Sequence, residues 1–162
     1  MGDVGGRTVL DLGAGAGFYT RLLVDHGARQ VVAVDLSFPM LAAAAGERTL
    51  RVVADAGSVS FRRGFDLALA AGIFEFAEDP AALLRHAATL VTGGGTLVVL
   101  LPTGGPWGQA YRAYHRRHHV RIRLFGREEL SALAAQTGWT VETTRAVWPY
   151  TLVARLRSTS SR

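Results

Sequence analysis

The chain has 162 residues, 49% of them hydrophobic, which suits one globular domain with a substantial core. It has no cysteine, so disulfides, cysteine-ligated zinc and thiolate nucleophiles are excluded. Its net charge of +5 rests on arginine alone, with neither lysine nor asparagine present, a compositional skew typical of GC-rich coding that keeps the charge from assigning a nucleic-acid partner.

In chain order, the apolar run at 9–12 reads as a buried strand that leads into three alternating glycines, Gly13, Gly15 and Gly17. Residues 18–26 read as a helix, with Leu22 and Leu23 on its apolar side and Gly27 as its stop. A β-branched run at 30–34, closed by Asp35, is a second strand; Pro39 opens a helix through 45; 51–54 before Asp55 is a third strand and 65–70 a fourth. Asp79 and Pro80 start a helix reaching about 91, residues 92–95 turn the chain, and 96–101 form a fifth strand. Beyond Pro102 the rhythm changes. Residues 104–126 are rich in aromatic, His and Arg residues, followed by a helix at 127–137 and a hairpin-like pair of strands near 139–146 and 151–156.

Strands alternating with helices on short loops predict a parallel sheet with right-handed crossovers, and the unbroken apolar strands suit a sheet covered on both faces. One domain is expected over 1–157, with 104–126 as an insertion and 158–162 as a flexible tail. Asp11, Asp35, Asp66 and Glu75 interrupt the best apolar runs before any reaches membrane-spanning length. With no signal peptide at the first residues, a cytoplasmic location is expected.

The glycines remove every Cβ from one side of the strand-to-helix turn, which permits positive φ and close approach of a ligand. The dinucleotide fingerprint G-x-G-x-x-G requires a small residue where Phe18 stands, so the loop points away from NAD. Asp11, Gly13, Gly15 and Gly17 instead resemble the D-x-G-x-G-x-G loop of class I S-adenosylmethionine-dependent methyltransferases, which passes under the methionine part of the cofactor. The likeness continues: 33–37 resembles the family's second motif, Ala54 and Asp55 its third, and 65–70 its fourth. Residues 75–80 and 90–95 resemble segments of small-molecule methyltransferases of the ubiquinone and menaquinone biosynthesis type, and the match weakens beyond 101.

The resemblance implies an α/β, Rossmann-like, doubly wound and mostly parallel seven-stranded sheet with an antiparallel last strand, in a single domain. Relatives usually carry helices ahead of the glycine loop that close over the site; here they are expected to be absent. In such a sheet, ligands bind at the carboxyl ends of the strands. Asp35 can accept two hydrogen bonds from a ribose diol, Asp55 one from an adenine amine, Ala56 can offer its N–H to a ring nitrogen, and Gly72 lies beside the reacting centre. With Asp11, Gly13, Ala14, Gly15, Gly17 and Leu36, these form the expected cofactor site. Each aspartate alone is equally a solvated strand end or a cap.

On the acceptor side, the subgroup usually has Glu-His where this chain has Glu75 and Phe76, leaving Glu75 and His115 as candidate catalytic groups. A base is required only if the nucleophile cannot lose its proton unaided. A helix over 107–119 would place Trp107, Tyr111, Tyr114 and His118 on one stripe, either a lid that binds the acceptor together with Phe74 or a face packed on the domain with Arg outward. His115, His118 and His119 have helical spacing, but the neighbouring arginines would repel a dication and no metal is expected. His86 reads as a surface residue of its helix.

The expected function is methyl transfer from S-adenosylmethionine to a small-molecule acceptor at O, N or C. One alternative is a cofactor-binding domain that needs a missing N-terminal segment, a homodimer or another partner to complete its site. The other is an RNA methyltransferase, suggested by the Arg and aromatic stretch at 107–123. Nucleic acid is disfavoured, since no Asn/Asp-Pro-Pro-Tyr motif occurs and cysteine-dependent pyrimidine C5 methylation is impossible.

Overall fold

Successive residues of a strand face opposite sides of a sheet, and in β1 (Thr8–Leu12) Val9 and Leu10 are both fully buried, in different layers. The computed structural model describes residues 4–44, 46–62 and 64–160. β1, β2 (Gln30–Asp35), β3 (Thr49–Val53), β4 (Phe65–Ala71) and β5 (Val91–Pro102) run parallel. β7 (Thr151–Ser158) lies antiparallel between β5 and β6 (Trp139–Val147), giving the order β3-β2-β1-β4-β5-β7-β6. Strand order therefore reverses between β1 and β4, where an open sheet of this kind has its ligand crevice.

Helices cover both faces. On one, Leu10, Val32, Ala68 and Leu97 pack with Leu84 and Ala87 of α3 (Pro80–Leu90) and Leu130 and Ala134 of α5 (Arg127–Gln136). Trp139 on β6 joins this layer and donates its indole N–H to the Leu84 carbonyl at 2.9 Å. On the other face, Val9, Val31, Leu67 and Val98 pack with Leu23 of α1 (Phe18–Asp25), while Leu41 and Ala44 at the end of α2 (Phe38–Ala43) cover Ala33. Each such fully buried Leu or Val contributes roughly 1.5–3 kcal/mol. α3 starts where Pro at the first turn predicts: Asp79 Oδ1 accepts hydrogen bonds from the N–H groups of Ala81 and Ala82 at 2.9 and 3.0 Å. α4 (Pro106–Arg117) lies in the segment after β5.

Several boundaries differ from the sequence expectation. The expected turn at 92–95 is a bulge inside β5: the partner strand takes two steps from Phe65 to Leu67 while β5 takes five from Val91 to Thr96, and Gly94 absorbs the excursion at φ 69°. α2 ends at Ala43 rather than at residue 45, which lies outside the described residues. The expected flexible tail begins too early. Ser158 belongs to β7 and is buried, and the Thr159 N–H donates to the Gly138 carbonyl at 3.0 Å; residues 161 and 162 lie outside the described residues. Among the described residues, no helix is long and apolar enough to cross a membrane.

Candidate active site

The glycine loop is held by β2. Gly13 and Ala14 both donate their N–H groups to the Val34 carbonyl, at 2.8 and 3.0 Å, and Gly15 donates its own to Asp35 Oδ2 at 2.8 Å. Asp35 Oδ1 accepts from the Ser37 N–H at 2.8 Å, so one carboxylate ties the loop to the start of α2. Two glycines are required by space as well as by φ. A Cβ on Gly13 (φ 72°) would meet Ile73 Cδ1 at 3.0 Å, and one on Gly17 (φ 79°), the residue before α1, would meet Ala44 Cβ at 2.5 Å. Beneath the loop, Thr20 Oγ1 donates to Asp11 Oδ2 at 2.6 Å. Burial pushes the Asp11 carboxyl up to about 6, the Thr20 hydrogen bond opposes this, and the charge of Asp35 adds to it.

At the carboxyl ends of β1 to β4 lies a cavity of about 550 Å³, within the usual range for small-ligand sites. Of the residues expected at the cofactor site, Gly13, Asp35, Leu36, Asp55, Ala56 and Gly72 line it. Asp11, Ala14, Gly15 and Gly17 do not: they shape the loop from behind, and Asp11 is a buried partner of Thr20. Asp55 caps its own turn, accepting from the Gly57 N–H at 2.8 Å, and is otherwise exposed. The far wall comes from Ile73, Phe76, Ala77 and the entry to α3, none of which the sequence pattern assigns to the cofactor site. Their position immediately after Gly72 at a strand's carboxyl end is the available signal.

A second cavity, of about 170 Å³, shares Gly72 with the first, and Tyr19, Glu75, Tyr111 and Tyr150 are among its walls. Glu75 lies in the single turn Phe74–Phe76 after β4 and is buried. Burial raises its carboxyl above the usual range; a hydrogen bond to its own backbone and one from the Tyr111 hydroxyl oppose the shift. Its Oε2 makes no hydrogen bond with the described residues. Tyr111 is in turn pushed up to about 12, first by burial and then by the charge of Glu75. Tyr111 stacks on Tyr150 with ring centres 5.0 Å apart, and Thr103 sets Tyr150 in place by donating its N–H to the Tyr150 carbonyl at 2.7 Å.

The expected aromatic stripe of α4 divides. Tyr111 reaches the second cavity, whereas Trp107 packs edge-on to the exposed Trp148, and Tyr114 and His118 face outward against each other. Gly108 decides this rotation: it is the buried residue of α4, and a side chain there would strike the Thr103 carbonyl, so the face bearing Gly108, Tyr111 and His115 turns inward. His115 contacts the rings of Tyr111 and Phe76, at 4.5 and 5.7 Å between centres, without lining either cavity. Phe74 is not at the acceptor side; it is 3% exposed and part of the core with Leu84 and Leu101. His86 is half-buried rather than a surface residue, and its Nε2 pairs with the Val59 carbonyl at 2.9 Å, bracing the segment after Asp55. Among the described residues, no group of three or more His, Asp or Glu side chains could hold a metal ion.

A methyltransferase-domain family model matches residues 10–99, more than half of the chain. The chain belongs to this family. No curated protein matches the sequence. Among solved structures, an S-adenosylmethionine-dependent methyltransferase from Mesorhizobium loti superposes with a TM-score of 0.82 at 20% identity, covering 97% of this chain and 93% of that one. The methyltransferase in a complex with the Trm112 methyltransferase activator from Haloferax volcanii gives 0.85 at 18% identity, over 100% and 86%. The 1,6-didemethyltoxoflavin-N1-methyltransferase of Burkholderia thailandensis, bound to its substrate and S-adenosylhomocysteine, gives 0.76 at 24% identity, over 96% and 72%.

This methyltransferase uses S-adenosylmethionine, and the residues present fit that cofactor. The cavity at the strand ends has the size of a nucleoside ligand's site, with carboxylates at the ends of β2 and β3 and backbone stripped of Cβ at Gly13 and Gly72.

Proposed function

We infer that this methyltransferase acts on a small molecule that binds in the second cavity while the cofactor occupies the first. The observation that carries this reading is the meeting of the two cavities at Gly72. Asp35 would hold the ribose hydroxyls with the lone pairs left free by Gly15 and Ser37, Asp55 the adenine amine, and Gly13 would let the chain lie close under the methionine part. Bound S-adenosylmethionine supplies a sulfonium methyl group, open to in-line displacement. The protein's part is to fix the nucleophile in line and keep water out, and the apolar walls around Gly72 serve both ends.

Calorimetry with S-adenosylmethionine, S-adenosylhomocysteine and NAD tests the cofactor assignment; binding of NAD alone overturns it. Incubation with methyl-labelled cofactor and separated cell fractions tests the acceptor class. Label in the small-molecule fraction supports the proposal, and label confined to RNA or protein overturns it.

A second reading, that a partner completes the site, draws on exposed apolar surface at the cavity. Leu36 and Phe76, both lining it, are 71% and 46% exposed, and Phe18, Phe38 and Met40 are exposed on α1 and α2. Exposed apolar side chains at a cavity are a feature of interaction surfaces, and the Haloferax relative is described in complex with an activator. For RNA, the feature to test is the groove of Arg112, Arg116 and Arg121 beside α4; RNA binding that weakens steeply with salt would favour it.

A further inference from the structure

On the methyl-transfer reading, on which its role as an acceptor site rests, the second cavity is more specific than a generic pocket. Its polar focus is a buried carboxylate, Glu75, with one oxygen lacking any hydrogen bond among the described residues. Its walls include three tyrosines, Tyr19, Tyr111 and Tyr150, two of them stacked with an interplanar angle of 24°. Its volume, about 170 Å³, suits a single ring, since a cavity of about 150 Å³ holds benzene. The compartment adjoins the cofactor cavity at Gly72, where a Cβ would come within 3.7 Å of Glu75 Oε1, so the carboxylate stands beside the junction of the two.

We propose that the acceptor is a small aromatic or heteroaromatic ring whose nucleophile carries a proton, N–H or O–H, and that this proton is donated to the Glu75 carboxylate, whose Oε1 stands beside Gly72. A buried carboxylate rejects an anionic acceptor, because two negative charges at close range in a poorly solvated site repel strongly. It favours a neutral donor. As the bond from the acceptor nitrogen or oxygen to the methyl carbon forms, the carbon–sulfur bond breaks with its electron pair going to sulfur, and the acceptor's proton passes to Glu75. The positive charge of the sulfonium and the negative charge of the carboxylate disappear together, so no net charge is created in the buried site. Tyr111, stacked on Tyr150, lines the same cavity as Glu75.

The test uses the full chain saturated with S-adenosylhomocysteine and follows binding of phenol, aniline and benzoate by NMR titration. Phenol or aniline should bind, benzoate at least about tenfold more weakly, and Glu75→Gln should weaken the favoured ring by about tenfold or more while S-adenosylhomocysteine affinity is retained. Benzoate binding as well as the neutral rings overturns the proposal, and so does a Glu75→Gln protein that binds them unchanged. The contrast among probes on the wild-type chain stands even if that variant does not fold. S-adenosylhomocysteine that fails to bind the wild-type chain overturns the cofactor reading and this proposal with it, whereas its binding with no ring preference overturns this proposal alone.

Discussion

Thr20 Oγ1 donates a 2.6 Å hydrogen bond to Asp11 Oδ2, joining the first turn of α1 to β1 directly behind the glycine loop. The bond only partly offsets burial, which leaves the Asp11 carboxyl raised from 3.8 to about 6. A carboxyl raised in the native state binds its proton more tightly there than in the unfolded chain, so its stabilising contribution is whole below about pH 4 and lost above about pH 6. Across that window Asp11 should remove ~3 kcal/mol from wild-type stability, and Asp11→Asn should escape the loss. Urea denaturation of both proteins at pH 4 and pH 7 measures this; a stability difference that does not change with pH removes Asp11 as the titrating group.

Asp35 organises the loop through the N–H groups of Gly15 and Ser37. Asp35→Ala should weaken S-adenosylmethionine binding by about 1–3 kcal/mol, and Asp35→Asn by less, because it keeps one acceptor oxygen. Calorimetry on the two variants reads the order, and unchanged affinity in Asp35→Ala would show that the ligand does not depend on this carboxylate.

Gly17 and Gly15 both have positive φ, yet only Gly17 is hemmed in, by the backbone and Cβ of Ala44, while the nearest atom to a Cβ on Gly15 is Met40 Cε at 3.6 Å. Gly17→Ala should therefore cost about 2–4 kcal/mol, conformational strain plus overpacking, and Gly15→Ala only about 1–2 kcal/mol. Equal losses in denaturant midpoint would count against the contact between the loop and α2.

His86 ties α3 to the segment after Asp55. His86→Ala should lower stability by about 1 kcal/mol and loosen that segment, seen as faster amide exchange around Ala56 and Val59. Exchange that stays at the wild-type rate would mean the segment is held by its own backbone turn.

Much of the sheet is legible in the chain because its signals are local. Val31 to Val34 and Leu97 to Leu101 are unbroken apolar runs that only a doubly covered sheet can bury, Val9 to Leu12 is broken only by the buried Asp11, and Asp79 with Pro80 marks a helix start within two residues. β3 is the harder case: as the edge strand it leaves Leu50, Arg51 and Val53 exposed, so its pattern is diluted and the expected bounds, 51–54, fall late against the observed Thr49–Val53.

The site divides along the same line. Glycines at 13, 15 and 17 and aspartates at strand ends are determined by the sequence, since a tight turn admits no Cβ and a strand's last residue is known once the strand is. Which of them face the ligand, and what stands opposite, only the tertiary structure decided. Asp11 lies in the motif yet turns inward to Thr20. Tyr150 comes beside Tyr111 because Thr103 grips its carbonyl across 47 residues of chain, and α4 turns Tyr111 rather than Tyr114 toward the cavity because Gly108 meets Thr103. Helical periodicity defines a stripe of side chains, but the rotation of that stripe is set by close contacts between segments far apart in sequence, which no local pattern records.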